Sequence, residues 1–395
     1  MYIDRLSLTD FRTYAQADVR LGPGVNVLVG PNGVGKTNIV EAIGCLSTLS
    51  SHRVSTDAPM VRFNQERAVV RARIVRGGQQ SILELEIAPG RTNRARINRS
   101  APMRAREILG IARTVLFAPE DLALVKGEPG GRRRFLDDLV VTLYPYLGQA
   151  RADYEKVLRQ RNALLRSGRR GWNEGHESTI DVWDQQLATA ATALTAARLG
   201  VLRDLDPHVE TAYGRLTDGG KPTEIVYISS LAGDVDAQRL SPDASGAGEL
   251  ASLSAPELYR RYLEALAGAR QRDRERGTTT IGPHRDDVAL ILGGAPAKGF
   301  ASHGESWSFA LALRLGAFEL MRQDDPSEAA CPILILDDVF AELDARRRQR
   351  LGALVQQAEQ VIITAAVGED LPADLAGRTL RVSPGTVTDP QGERA

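Results

Sequence analysis

The sequence predicts an α/β fold, built from N- and C-terminal segments and interrupted by an inserted, mainly helical arm domain. Three observations carry that prediction. Residues 25–29 are an apolar, β-branched run that ends at a glycine-rich loop and continues at helical spacing through Ile39, Val40, Ile43 and Leu46. A second apolar run, Ile333-Leu-Ile-Leu336, ends in Asp337-Asp338 about three hundred residues later. Between them, apolar positions recur with helical period through much of residues 135–275.

The loop reads Gly30-Pro31-Asn32-Gly33-Val34-Gly35-Lys36-Thr37, followed by Asn38, and fits G-x-x-x-x-G-K-[ST] at every fixed position. Its glycines let backbone N–H groups close around phosphate oxygens, and the following helix adds the partial positive charge of its N-terminus. In that arrangement Lys36 reaches the β- and γ-phosphates of ATP and the Thr37 hydroxyl ligates Mg²⁺. Lys36 is one of only five lysines, with Lys126, Lys156, Lys221 and Lys298, so a chance match is less expected here than in an average chain.

The acidic counterpart is dense. From Asp324 to Asp344 the chain carries seven acidic residues and no basic one. Carboxylates at the end of a buried strand are costly without a cation, so Asp337 is expected to hold Mg²⁺ and Asp338 to orient the attacking water. Asp324, Asp325 and Glu328 read more simply as a solvated loop. Upstream, Ala301-Ser302-His303-Gly304-Glu305 opens an apolar helix, and small residues at a helix start make a second anion-binding end.

The inserted segment reads as two helices turned by residues 167–179. The first carries Tyr154, Val157, Leu158, Leu164 and Leu165, the second the apolar positions from Ile180 to Tyr213. A β-like run at 224–229, a Gly/Ser/Ala/Asp loop at 233–248 and a capping box at Ser254-Ala-Pro-Glu257 follow. Helices of ~20–35 residues span about 30–50 Å, which leaves no room for a long coiled-coil arm.

Composition narrows the function. The 50 basic and 50 acidic residues of the 395-residue chain cancel, which disfavours a dedicated polybasic binder, and 5% aromatics are too few for an extended base-stacking surface. Two cysteines exclude a disulfide framework or a four-cysteine zinc site. With no signal peptide and no apolar run near membrane-spanning length, the expectation is a soluble cytoplasmic protein without a membrane partner. The charge is nonetheless uneven: residues 91–113 hold seven Arg against one Glu, and residues 149–170 hold seven basic against two acidic. Arg94, Arg96, Arg99, Arg132, Arg133 and Arg134 are candidates for sequence-independent phosphate contacts with DNA, against the alternative of solvated Arg-rich faces.

Together, Leu8-Thr-Asp-Phe11-Arg12 before the loop, the Ser302–Glu305 signature and the Asp pair followed by Glu342-Leu-Asp344 resemble an ABC/SMC-type ATPase head. Within that group the chain is similar to the RecF family of bacterial recombination proteins. The likeness rests on Ser51-His-Arg53, Phe117-Ala-Pro-Glu120-Asp-Leu, Arg132-Arg-Arg-Phe135-Leu-Asp137, Gly282-Pro-His284-Arg285-Asp-Asp287 and Lys298-Gly-Phe-Ala-Ser302-His-Gly304-Glu305. The resemblance implies an ATP-dependent homodimer in which Ser302 and Gly304 of one subunit contact the nucleotide on the other, and in which Arg12 reaches a phosphate in its own subunit. It also implies single- and double-stranded DNA at junctions as substrate, and RecR/RecO-like partners in recombinase loading. Transport ATPases carry glutamate at the position of Asp338 and a histidine in the last strand, where this chain has Val361-Ile-Ile-Thr364-Ala365; both departures predict slow hydrolysis. The alternatives are the ATPase subunit of an ABC transporter or another SMC-like chromosome-maintenance ATPase; a small-molecule P-loop kinase is more remote. The expected divisions are 1–134 and 276–382 for the head, 135–275 for the arm and a disordered tail at 383–395.

Overall fold

The structure, a computed structural model, describes residues 1–232, 247–324, 331–367, 371–372, 375 and 377–390. It divides into two compact units: Met1–Asp121 with Thr211–Gly219 and Ala310–Ala395, and Leu122–Glu210 with Gly220–Phe309. The inserted unit therefore starts earlier and ends later than residues 135–275. The signature segment falls inside it, because the helix His303–Asp324 passes from one unit to the other.

The first unit holds two six-stranded sheets. One is antiparallel, in the order Tyr14–Arg20, Tyr2–Phe11, Ala68–Arg76, Gln79–Ile87, Arg94–Ile97, Met103–Arg104. The other runs Thr386–Thr388, Arg378–Ser383, Gly24–Val29, Gln360–Ala365, Ile333–Asp337, Thr114–Phe117, and is parallel except for its first strand. Its central strands Ile333–Asp337 and Gln360–Ala365 are buried at every residue, as strands covered on both faces should be. That is why the sequence shows unbroken apolar runs there and not alternation. The helix Lys36–Thr48 packs Ile39, Val40, Ile43 and Leu46 into the core shared by both sheets.

The tail departs from expectation. Ser383 ends one strand, and Thr386–Thr388 returns antiparallel to it around Gly385 (φ 73°), with Arg378 bonded to Asp389 through Nε at 3.0 Å. Composition suggested disorder because Pro, Gly and charge also suit a two-residue hairpin turn. Residues 391–395 lie outside the described residues, as does most of the expected 233–248 loop.

The second unit is mainly helical, with Pro129–Leu143, Gly148–Ser167, Glu174–Thr217 and Ala255–Arg276 beside a small antiparallel sheet of Thr223–Ile228, Asp287–Leu292 and Ala295–Pro296. Ser254 and Glu257 form the expected capping box. The 44-residue helix Glu174–Thr217 is longer than expected and runs through Pro207. An interior proline costs about 3 kcal/mol, which burial of Leu202, Leu205, Val209 and Tyr213 around it offsets.

Three arginines of this unit, Arg132, Arg161 and Arg198, are buried. Arg161, fully buried, bonds Asp184 and Asp273 at 2.7 Å each and Thr279 at 2.9 Å. Arg198 grips Asp137 at 2.7 and 2.9 Å. In the Gly282–Asp287 stretch, His284 faces the Tyr154 hydroxyl at 2.5 Å, and Asp286 accepts from Tyr227 at 2.7 Å. The family-like Gly282–Asp287 stretch thus builds part of a polar core.

Candidate nucleotide site

The strand Gly24–Val29 delivers the loop at Gly30, and two glycines there are forced by geometry. A Cβ on Gly30 would stand 2.4 Å from the Val382 carbonyl oxygen; one on Gly35, at φ 114°, would stand 2.7 Å from the Tyr14 hydroxyl. Pro31, Asn32 and Gly33 form the exposed rim, and Val34 is half-buried. Lys36 is 4% exposed, with its ammonium folded back onto the loop: Nζ donates to the Gly30 carbonyl at 2.8 Å, the Pro31 carbonyl at 3.2 Å and Asn32 Oδ1 at 3.4 Å.

The acidic strand lies two strands away from the loop strand, with Gln360–Ala365 between them. This topology brings Thr37 and Asp337 together across the sequence: Thr37 Oγ1 donates to Asp337 Oδ1 at 3.2 Å. The same carboxylate oxygen accepts from Thr364 Oγ1 at 2.6 Å. Burial, reinforced by neighbouring Asp338, pushes the Asp337 carboxyl up to about 6 despite the two hydroxyls that hold it down. A buried carboxylate with a hydroxyl beside it, both hard oxygen donors, fits a magnesium ion. Asp338 has left-handed backbone (φ 52°), and its N–H donates to Thr364 Oγ1 at 2.9 Å.

Asp337 gives a pH dependence. Cation binding needs the carboxylate, so Mg²⁺-supported nucleotide affinity is expected to fall by about tenfold per pH unit below pH 6, and to be flat from 7 to 8. Titration with a fluorescent ATP analogue at fixed Mg²⁺ from pH 5 to 8 measures this. An affinity unchanged at pH 5 would contradict the assignment of Asp337.

Several expected residues have other work. Arg12 (φ 53°) is fully engaged: Nε donates to Glu41 Oε2 at 2.8 Å, Nη2 to Glu41 Oε1, and Nη1 to the Pro59 carbonyl at 2.8 Å. Glu41, fully buried on the loop helix, also accepts from Ser51 and lies 3.7 Å from Arg53. Arg12 therefore anchors that helix and does not point freely at a phosphate. The Asn38 side chain is likewise taken, by Thr13 at 3.0 Å and Arg53 at 3.2 Å. Glu41 does not stand out in the sequence, a charged residue inside an apolar helical face being its only signal; Thr364 is legible there only within the stretch that lacks the histidine of transport ATPases.

Ser302 and Glu305 cap the helix His303–Asp324: the Ser302 N–H donates to Glu305 Oε2 at 2.8 Å and the Glu305 N–H to Ser302 Oγ at 3.3 Å. Lys221, 2.8 Å from Glu305, together with the Ser302 N–H holds that carboxyl down at about 2. Ser302 is exposed, Gly304 is half-exposed, and Lys126 Nζ stands 3.4 Å from His303 Nδ1.

The arginine candidates separate. Arg132 is buried, bonds Asp287 with two donors at 2.8 Å, and gives Nη1 to the Leu124 and Gly127 carbonyls, so it is structural and unavailable to DNA. Arg133 is half-buried and donates to the Asp286 carbonyl at 2.7 Å. Arg94 and Arg96 sit opposite Glu86 and Glu84 in the antiparallel sheet, Arg96 3.6 Å from Glu84, so their charge is partly offset. Arg99 and Arg134 are exposed. Among the described residues, Asp324 pairs with Arg113 at 3.1 Å and Asp344 caps the helix Ala345–Val355. Asp325 and Glu328 lie outside them. Both cysteines are free and buried, and no described helix is long and apolar enough to cross a membrane.

A parallel sheet whose loop strand and aspartate strand come from opposite ends of the chain, with a helical insertion, defines an ATPase head of the ABC/SMC type. Known proteins agree: the model of the RecF/RecN/SMC N-terminal domain matches residues 2–374. The chain is 56% identical to the DNA replication and repair protein RecF of Arthrobacter sp. (strain FB24), covering 98% of this chain and 99% of that one. It is 51% identical to that of Streptomyces avermitilis, over 98% and 99%. A solved structure of the recombination mediator protein RecF-ATPrS superposes with TM-score 0.85 at 24% identity, covering 98% of both chains. An Smc head domain from Pyrococcus furiosus gives 0.50 at 15%, covering 98% and 95%. The chain belongs to the RecF family.

Proposed function

We propose that this chain is an ATP-dependent DNA-binding protein of recombinational repair and replication restart. In this reading it dimerises around ATP as a clamp on single-strand/duplex junctions, hydrolyses ATP slowly, and promotes recombinase loading with RecR/RecO-like partners. The observation that carries the nucleotide half is the meeting of Thr37 and Asp337, 3.2 Å apart and 300 positions apart in sequence. The DNA half rests on the curated relatives, which are replication and repair proteins along nearly their whole length.

The chemistry follows from the side chains. Lys36 exchanges its loop carbonyls for β- and γ-phosphate oxygens, while the loop N–H groups hold the rest of the phosphate chain. Thr37 and Asp337 would hold Mg²⁺, which would supply charge neutralisation at the phosphates. Asp338 orients the attacking water. Ser302 and Gly304, on an exposed capped helix start, contact the nucleotide bound to a second copy. Asp338 is one methylene shorter than glutamate and the strand Gln360–Ala365 carries no histidine, which supports a clamp released slowly.

Light scattering with and without ATP and Mg²⁺, combined with binding to gapped and duplex DNA over 50–200 mM salt, tests the proposal. The expected result is a nucleotide-dependent dimer whose DNA affinity falls steeply with salt, with a shallower slope in Arg99→Ala/Arg134→Ala. A chain that stays monomeric with ATP, or binds DNA identically without it, overturns the clamp.

A further inference from the structure

We propose that Thr364 is the positioning residue that sets Asp338 for hydrolysis; the inference rests on the ATPase reading above. The parallel register pairs Thr364 with Asp337 across neighbouring strands, and its side chain is almost wholly buried, at 1% exposure. Its oxygen accepts the N–H of Asp338 at 2.9 Å, the bond that ties down a non-glycine residue in left-handed backbone. Its single proton lies within reach of two carboxylates, Asp337 Oδ1 at 2.6 Å and Asp338 Oδ1 at 3.3 Å. A hydroxyl has one proton to give, so it serves one of them at a time. The proton goes to Asp337 Oδ1, the nearer acceptor, which Thr37 also reaches at 3.2 Å; were that carboxylate engaged by a cation, the proton would be free to turn to Asp338. Thr364 thereby ties the orientation of the water-directing carboxylate to the state of the metal-directing one, through one buried side chain.

Neither end of this link can be replaced by packing. Valine has the shape of threonine without the hydroxyl, so Thr364→Val leaves the strand filled but strips Asp338 of its N–H partner and both carboxylates of a donor. Serine keeps the hydroxyl and loses a methyl.

The experiment compares wild type, Thr364→Val and Thr364→Ser in three measurements: nucleotide affinity without Mg²⁺, single-turnover hydrolysis, and lifetime of the ATP-bound dimer after a chase. Thr364→Val is expected to bind nucleotide within about twofold of wild type, to hydrolyse it at least about tenfold more slowly, and to lengthen the dimer lifetime in proportion. Thr364→Ser restores hydrolysis to within about threefold. In an Asp338→Asn background, Thr364→Val produces no further slowing, because both act through one carboxylate. Wild-type hydrolysis in Thr364→Val, equal loss in the serine variant, or additive slowing on Asp338→Asn overturns the role of Thr364 alone. Failure of the wild-type chain to bind nucleotide overturns the ATPase reading and this inference with it.

Discussion

Lys36→Ala is expected to abolish measurable nucleotide binding and, with it, nucleotide-driven dimerisation. The Lys36 ammonium is the only lysine charge within the phosphate loop, and it is nearly buried against the carbonyls of Gly30 and Pro31. Each charge-assisted hydrogen bond it makes to a phosphate is worth about 1.5–3 kcal/mol. Losing two such bonds weakens affinity by about 10²–10⁴-fold, beyond the range of a micromolar titration. The unliganded ammonium also closes the loop on itself, so the alanine variant loosens the loop as well. Lys36→Met keeps the aliphatic stem and separates the two effects: its melting temperature without nucleotide should exceed that of the alanine variant, while its nucleotide affinity is equally lost. Isothermal titration and thermal melting measure both. Retention of near-wild-type affinity in Lys36→Met would remove Lys36 from the phosphate contacts.

Asp338→Asn is expected to bind ATP normally, slow hydrolysis by about 10²–10³-fold and hold the dimer closed. The substitution is a clean one on backbone grounds. Asp338 has φ 52°, and asparagine tolerates left-handed backbone as well as aspartate does. The amide keeps the side chain's shape, and the backbone N–H still donates to Thr364. What is lost is the charge that directs a water. The ATP-bound dimer should therefore outlast the wild-type one in a chase experiment, with unchanged stability in the absence of nucleotide. Rapid release of the dimer, or hydrolysis at the wild-type rate, would show that another group orients the water.

The two predictions differ in how readily the sequence yields them. Lys36 and Thr37 are legible because a phosphate loop is a local device: its glycines, lysine and hydroxyl are consecutive, and the strand before and helix after it announce themselves through periodicity. Asp337-Asp338 are legible for a similar reason, since an apolar strand ending in paired acids is a local pattern. Arginine was harder. Arg132 and Arg134 are neighbours in one helix with the same charge, yet one is locked to Asp287 and the other faces solvent. The helix register decides which, and the partner lies 155 positions away. Arg12 is a similar case, because Glu41 and Pro59 engage it through space.

The sequence alone determined the kind of head, the loop that faces phosphate, the acidic strand and the presence of a helical insertion too short for a coiled-coil arm. Each depends on spacing along a few consecutive turns or strand residues. Only the tertiary structure decided that the last central strand places Thr364 between the loop strand and the aspartate strand, that Glu41 gathers Arg12 and Ser51 with Arg53 close by, and that the family-like Gly282–Asp287 stretch builds part of a polar core. Those are pairings between distant residues inside a low-dielectric interior. There a single hydrogen bond outweighs local propensity, and nothing in the neighbouring sequence specifies the partner.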